Sequence, residues 1–308
     1  MSDTVEAAAE ALRRGELVIL PTETVYGLAA DAADPDAIAR IYEAKGRPRF
    51  NPLIAHVADK AAAARLAVFD ERAMRMADAF WPGPLTLVLP ARRGGVCDLV
   101  RAGLDTVAVR VPAHPMAQGL LAVFGGAVAA PSANRSGRPS PTTYEDAVAE
   151  TGFAAGAALD GGPCLVGVES TVVSLIPGQP ARLLRPGGAT REAIEAIIGK
   201  LETSGDDARR SPGRLALHYA PDAPVRLNAE NVAPEEVHLA FGPGAHVSER
   251  VLNLSPSGDL REAAANLFAY LRAADRLKPS AIAVAPIPTY GLGEAINDRL
   301  ARAAGFIG

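Results

Sequence analysis

The chain has 308 residues, long enough for one large domain and a small one. Hydrophobic residues make up 49% of it but aromatics only 5%, so the apolar mass is Ala, Val, Leu and Ile, which suits packed α/β layers better than an aromatic-rich binding surface. A formal net charge of -4 excludes a broad nonspecific nucleic-acid surface but leaves room for a local basic pocket, and two cysteines, Cys97 and Cys164, supply neither metal-ligand spacing nor a disulfide framework.

The first residues carry acids and no long apolar run, so they do not read as a secretory signal; a reducing cytoplasm is the expected setting. Thr4 to Arg14 predict a helix with Val5, Ala8, Ala9 and Leu12 on one face and Gly15 as its stop. Leu17 to Leu20 predict a buried strand running into PTETVYGLAAD, which reads as a loop. Asp34-Pro35 start a helix with Ile38, Ile41 and Tyr42 on its inner face and Lys45-Gly46 at its end. Leu53 to Val57 is the next strand, followed by helices over Asp59 to Leu66 and Glu71 to Phe80. Strands follow at Leu85 to Leu89 and Thr106 to Val111, then a helix over His114 to Phe124 and a short strand from Ala127 to Ala130. The longest uncharged stretch, between Arg110 and Arg135, is broken by Pro112, Pro115 and Pro131, which argues against a membrane span.

Thr142 and Glu145 have capping-box spacing and predict a helix start at that point. Thr171 to Leu175 and Ala181 to Leu184 predict a hairpin turning at Pro177-Gly178, and Thr190 to Ile198 a closing helix. This irregular alternation predicts an α/β fold with a twisted mixed β-sheet and flanking helices, not a regular parallel sheet. The polar run Glu202 to Ser211 marks a boundary. Beyond it, strands at Val237 to Phe241, Val251 to Leu254 and Ala281 to Val284, with helices over Leu260 to Leu271 and Leu292 to Ala304, predict a small Rossmann-like α/β domain. The expected division is 1–200, a linker over 201–221, and 222–308.

Several polar groups sit where chemistry could use them. Lys45 offers a movable charge and Arg47 a rigid fork; together they could hold a polyphosphate, or simply complement a helix dipole. Ser132 and Asn134 follow an apolar strand and supply a hydroxyl and an amide, for a phosphate or for an ordinary capped turn. Thr22, Glu23, Thr24 and Tyr26 follow another strand and suit either a small polar substrate or turn capping, with Glu23 ordering the loop or balancing a cation such as Lys45. Arg110, near the end of a buried strand, needs a partner, which a substrate anion or a structural acid would supply. Glu169, Ser170 and Thr171 could meet phosphate, a magnesium-bound water or backbone, and Arg185 is another anion candidate. There is no Walker loop, no HExxH, no dinucleotide glycine fingerprint and no nucleophile elbow, and the five histidines form no ligand spacing.

The segments PTETVYGL, KGRP followed by NPL, WPGPLT, RVPAHP, PSANRSGRPSPT, ESTVV and RPG occur in this order. Together they resemble the threonylcarbamoyl-AMP synthase family, built on the YrdC-like domain, and SPGRLALHYAP with GLGEAINDRLARAA resembles its longer, two-domain form. The resemblance implies that L-threonine, bicarbonate and ATP are condensed to threonylcarbamoyl-AMP and diphosphate. A partner transferase complex would then modify the adenosine beside a tRNA anticodon, with a weak direct tRNA contact left open. The family's KxR and SxN signatures fall on Lys45, Arg47, Ser132 and Asn134, to which the resemblance assigns the chemistry. It assigns Thr22, Thr24, Tyr26, His56, Arg110 and Thr171 to the substrate, and Pro131, Ser170, Arg185 and Tyr219, beside the signature residues, to the nucleotide. Magnesium would accompany the phosphates, with no dedicated protein metal site. The linker ending in His218-Tyr219-Ala220-Pro221 is expected to close over the cavity, although Leu215, Ala216 and Leu217 after Arg214 depart from the family's more basic and aromatic pattern. Two other readings are a carbamoyl-adenylate enzyme of hydrogenase maturation, whose usual additional modules the length and cysteines do not provide, and a nonenzymatic RNA-binding module.

Overall fold

The computed structural model describes residues 3–48, 50–203, 219–245 and 248–305. In chain order its elements begin with α1 (Val5–Arg13), β1 (Leu17–Leu20), β2 (Gly27–Asp31), α2 (Pro35–Lys45), β3 (Ile54–His56), α3 (Lys60–Leu66), α4 (Glu71–Phe80) and β4 (Leu85–Pro90). There follow α5 (Asp98–Arg101), β5 (Thr106–Arg110), α6 (Pro115–Phe124), β6 (Val128–Ala129), α7 (Tyr144–Thr151), β7 (Ala155–Ala158), β8 (Thr171–Ser174), β9 (Arg182–Arg185), α8 (Arg191–Ile198) and β10 (Glu202–Thr203). The carboxy-terminal unit holds β11 (Val225–Arg226), β12 (Val237–Ala240), β13 (Val251–Asn253), α9 (Leu260–Arg276), β14 (Ile282–Val284) and α10 (Leu292–Ala303). The helices start where short polar side chains precede them. Thr4, Asp34, Asp59, Asp70, Thr190 and Asp259 each accept a hydrogen bond from a backbone N–H of the first turn.

Ten strands make one mixed sheet, ordered β10-β9-β8-β4-β5-β3-β6-β2-β1-β7, and four make a second, ordered β11-β14-β12-β13. Every pairing in the second sheet is parallel, with α9 and α10 packed beside it, which is the small Rossmann-like unit expected. In the large sheet the period-two alternation of side chains separates two faces. Leu85, Leu87 and Leu89 of β4 and Val107 and Val109 of β5 enter a core shared with Ala63, Met76 and Ile194 of α3, α4 and α8. The intervening Thr86, Ala108 and Arg110 therefore face the other way, and that face carries the site described below. The two units are joined by charge. Arg272 of α9 donates to Glu150 at 3.0 Å, and Arg191 of α8 pairs with Glu294 of α10 at 2.5 Å.

Some expectations are corrected. Only residues 21–26 of PTETVYGLAAD form a loop. Gly27–Asp31 is a strand, antiparallel to β1, because its small apolar residues bury against a neighbour that the local sequence does not name. The helix after the Ser132 loop is capped by Thr143, whose side chain accepts from Asp146 N at 3.3 Å; Thr142, taken as the start, is buried one residue earlier. α9 runs on to Arg276 rather than Leu271, since Ala274 still faces the core. Glu202–Thr203 pairs with β9 as an edge strand instead of opening the linker. The unanticipated α5, β7, β10 and β11 are two to four residues long, too short to display a period. The linker expectations for residues 204–218, including Arg214 and His218, lie outside the described residues. No described helix is long and apolar enough to cross a membrane.

Candidate active site

A cavity opens on the second face of the large sheet, beside the apolar patch of Ile54, Val88, Ala108, Val172 and Leu184. Its walls come from the Thr24 turn, the chain after α2, β3, the end of β5, the Pro131-Ser132 loop, Glu169-Ser170 and the end of β9. Tyr219, returning from the linker, closes one side. Three arginines line it: Arg47, Arg110 and Arg185.

Arg47 is placed by the end of α2. Gly46 adopts φ 59°, a left-handed turn that glycine enters without penalty, and Arg47 N donates back to Tyr42 O at 2.9 Å. The guanidinium is buried. Its Nη2 donates to Pro52 O at 3.2 Å, and its Nε has no partner among the described residues. Burial lowers its pKa to about 10, so it remains a cation at neutral pH. Arg185 donates from Nε and Nη2 to Ser170 O, at 3.2 and 2.9 Å, and burial lowers its pKa as well. Ser170 Oγ lies 2.8 Å from Thr86 Oγ1. Neither Arg47 nor Arg185 has a carboxylate within ion-pair distance among the described residues.

The other charges are compensated. Arg110 pairs with Glu23 at 2.6 Å and donates to Thr24 Oγ1 at 3.0 Å, so the structural acid it required is Glu23, not a partner of Lys45. Glu169 accepts from Ser140 Oγ at 2.5 Å and from Arg299 Nε at 2.7 Å. Burial alone would raise its pKa, but Arg299 and Arg185 outweigh that and hold it at about 2. His56 is driven to about 3 by burial and then by Arg110, and stays a neutral imidazole with Nδ1 3.1 Å from Ile54 O. The cavity therefore keeps two buried cations, Arg47 and Arg185, with no carboxylate in direct ion-pair contact among the described residues, beside the hydroxyls of Ser132 and Ser170. A buried cation without a counter-charge is costly, and a bound anion relieves that cost.

The sequence candidates divide here. Thr24, Arg47, His56, Arg110, Pro131, Ser132, Ser170, Arg185 and Tyr219 line the cavity, whereas Lys45, Asn134, Thr22, Tyr26 and Thr171 do not. Lys45 is buried behind it and donates from Nζ to the carbonyls of Ser132 and Asn134. Asn134 donates from Nδ2 to Arg135 O and Arg138 O, at 2.7 and 2.9 Å, bracing the same loop. Thr22 Oγ1 donates to Val25 O at 2.6 Å, within its own turn. Thr171 Oγ1 ties β8 to Ala189 through O and N. Tyr26 Oη donates to Gly162 O at 2.8 Å and accepts from Gly161 N at 3.1 Å. Tyr26→Phe is accordingly expected to cost about 1–2 kcal/mol of stability with turnover nearly unchanged. Urea unfolding and steady-state kinetics check this; a large kinetic loss at unchanged stability would return Tyr26 to the substrate.

Sequence reading did not single out Arg299, which pairs with the cavity-lining Glu169. It is 130 positions from Glu169, so no local spacing joins them. The available signal was its place on α10, with Ile296, Leu300 and Ala303, where an arginine on a helix's core face demands a buried acid.

A model of the Sua5, YciO and YrdC proteins, described as Telomere recombination, matches residues 10–187. A second, described as Threonylcarbamoyl-AMP synthase, C-terminal domain, matches residues 189–305. The chain is 40% identical to the threonylcarbamoyl-AMP synthase of Bacillus subtilis, over 98% of this chain and 93% of that one. It is also 40% identical to the Pyrococcus abyssi protein of the same name, over 98% and 94%. The crystal structure of Pyrococcus abyssi Sua5 complexed with L-threonine superposes with a TM-score of 0.88 at 39% identity, covering 98% of this chain and 94% of that one. Escherichia coli YciO, 21% identical over 61% of this chain with a TM-score of 0.54, shares the fold of the larger unit.

Proposed function

Because the chain belongs to the threonylcarbamoyl-AMP synthase family, we propose that its cavity condenses L-threonine, bicarbonate and ATP into threonylcarbamoyl-AMP and diphosphate. The observation that carries this reading is the pair Arg47 and Arg185, buried cations without ion-paired carboxylates among the described residues, facing one cavity with Ser132 and Ser170.

The chemistry needs alignment and charge stabilisation more than a protein nucleophile. Threonine's amine takes up the carbon of bicarbonate as a carbamate, losing water. A carbamate oxygen forms a bond to the α-phosphorus, and the bond from that phosphorus to the bridging oxygen breaks, diphosphate leaving with the electron pair. Arg47 and Arg185 are proposed to hold the phosphate charge, with Ser132 and Ser170 donating hydroxyls. Thr24, neutral His56 and the Arg110–Glu23 pair are proposed to face threonine. Lys45 and Asn134 keep the Ser132 loop in place, and Pro131 and Tyr219 flank the nucleotide. No protein general base is assigned.

Magnesium fits as a companion of the phosphates. The carboxylate among the cavity's lining residues, Glu169, is engaged at both oxygens, so the phosphates of ATP are proposed to hold the magnesium. When bound, it would neutralise charge on the leaving diphosphate.

The working domain division is 1–203, which keeps β10 with the large sheet, and 222–308, with the segment between them proposed as a lid that would exclude water from a labile product. The proposed setting is the cytoplasm, with the product passed to a threonylcarbamoyl transferase complex acting on tRNA. Purified protein with magnesium, ATP, bicarbonate and threonine is expected to release diphosphate without tRNA, and less of it when serine replaces threonine. No threonine-dependent release would overturn the assignment and favour a binding role.

A further inference from the structure

Arg299 is carried on α10, in the carboxy-terminal unit, yet its guanidinium ends against Glu169 and Tyr219, two residues that line the cavity. It is wholly buried. Its Nε donates to Glu169 Oε2 at 2.7 Å and its Nη1 to Asp298 at 2.6 Å, while Nη2 has no partner among the described residues. Its Cζ stands 5.3 Å from the centroid of the Tyr219 ring, which packs in turn on Phe268 of α9 at 5.4 Å. One side chain of the carboxy-terminal unit thus touches two residues that line the cavity.

Glu169 cannot easily move away. Its backbone lies against Gly187 so closely that a Cβ there would fall 2.3 Å from Glu169 O. Its carboxylate is ionised throughout the physiological range. Without Arg299 it would draw on Arg185, the other cation that stabilises it, and oppose any phosphate brought in there. At a separation of about 6 Å, and with an effective dielectric of about 20, such repulsion is large enough to change affinity by one to two orders of magnitude.

We propose that Arg299 is a positioning residue for the nucleotide reaction: it cancels the charge of Glu169, so that the carboxy-terminal unit sets the affinity of the cavity for ATP. This rests on the ATP reading above. The guanidinium fork meets carboxylate and aromatic ring at once, which a lysine cannot do as well.

The test is calorimetric binding of α,β-methylene-ATP with magnesium to the full chain, in four forms: unchanged, R299M, E169Q and E169Q/R299M. R299M is expected to weaken binding by about 10- to 100-fold. The double variant should return to within about threefold of E169Q alone, because neither buried charge then lacks its partner. A role confined to holding the two units together predicts instead that the double variant binds as weakly as R299M, and that result overturns the proposal. Should R299M fail to fold, E169Q/R299M against E169Q decides by the same criterion, with R299K as a second comparison: it keeps the charge and should lose less than about tenfold. Absence of binding by the unchanged chain would instead overturn the ATP reading itself.

Discussion

Arg47→Ala is expected to lower kcat/KM for ATP by about 10²- to 10³-fold, the loss seen when one preorganised donor to developing charge is removed from a closed site. Stability should stay within about 1 kcal/mol of the unchanged chain or rise slightly, since the lost group is a buried cation whose Nε has no partner and whose main protein contact is a carbonyl. Diphosphate release at varied ATP, together with the urea midpoint, measures both. Near-normal turnover would remove Arg47 from the phosphate site.

The adjacent signature residue should respond in the opposite manner. Lys45→Met keeps most of the side-chain volume but leaves the carbonyls of Ser132 and Asn134 without their donor. Two buried acceptors lose charge-assisted bonds. Burial strongly disfavours the ammonium and lowers its pKa well below that of a free lysine, which offsets part of the loss. The net cost is about 2–4 kcal/mol, read as a lower urea midpoint at unchanged slope. Activity should fall by at least about tenfold because the Ser132 loop shifts against the cavity. Activity lost at an unchanged midpoint would mean that Lys45 acts on substrate directly and not through the loop.

Most regular elements were legible in the chain. α4 matches its predicted bounds because Glu71 to Phe80 carries a clean apolar stripe behind an Asp70 cap. β1 matches because four apolar residues are bracketed by a glycine turn and a proline. β2 was not legible, since GLAAD has no distinctive pattern apart from the strands that flank it in the sheet. For the site, the signature segments named the right loops, but residue type could not say which side chains reach the cavity. Tyr26 and Thr171 look as polar in sequence as Thr24 and Ser170, and only the first two have hydroxyls committed to backbone in strand and turn.

The sequence by itself determined where most helices begin, which faces are apolar and that the sheet is mixed, and its signature segments marked the loops that meet at the cavity. Tertiary structure alone decided the partner of each charge: Glu23 for Arg110, Glu169 for Arg299, two loop carbonyls for Lys45, and no carboxylate for Arg47 or Arg185 among the described residues. Caps and periodicity act over a few residues and are therefore written locally. Whether a buried charge is neutralised or left to attract a ligand depends on groups 87 to 130 positions away, which only the folded chain brings within reach.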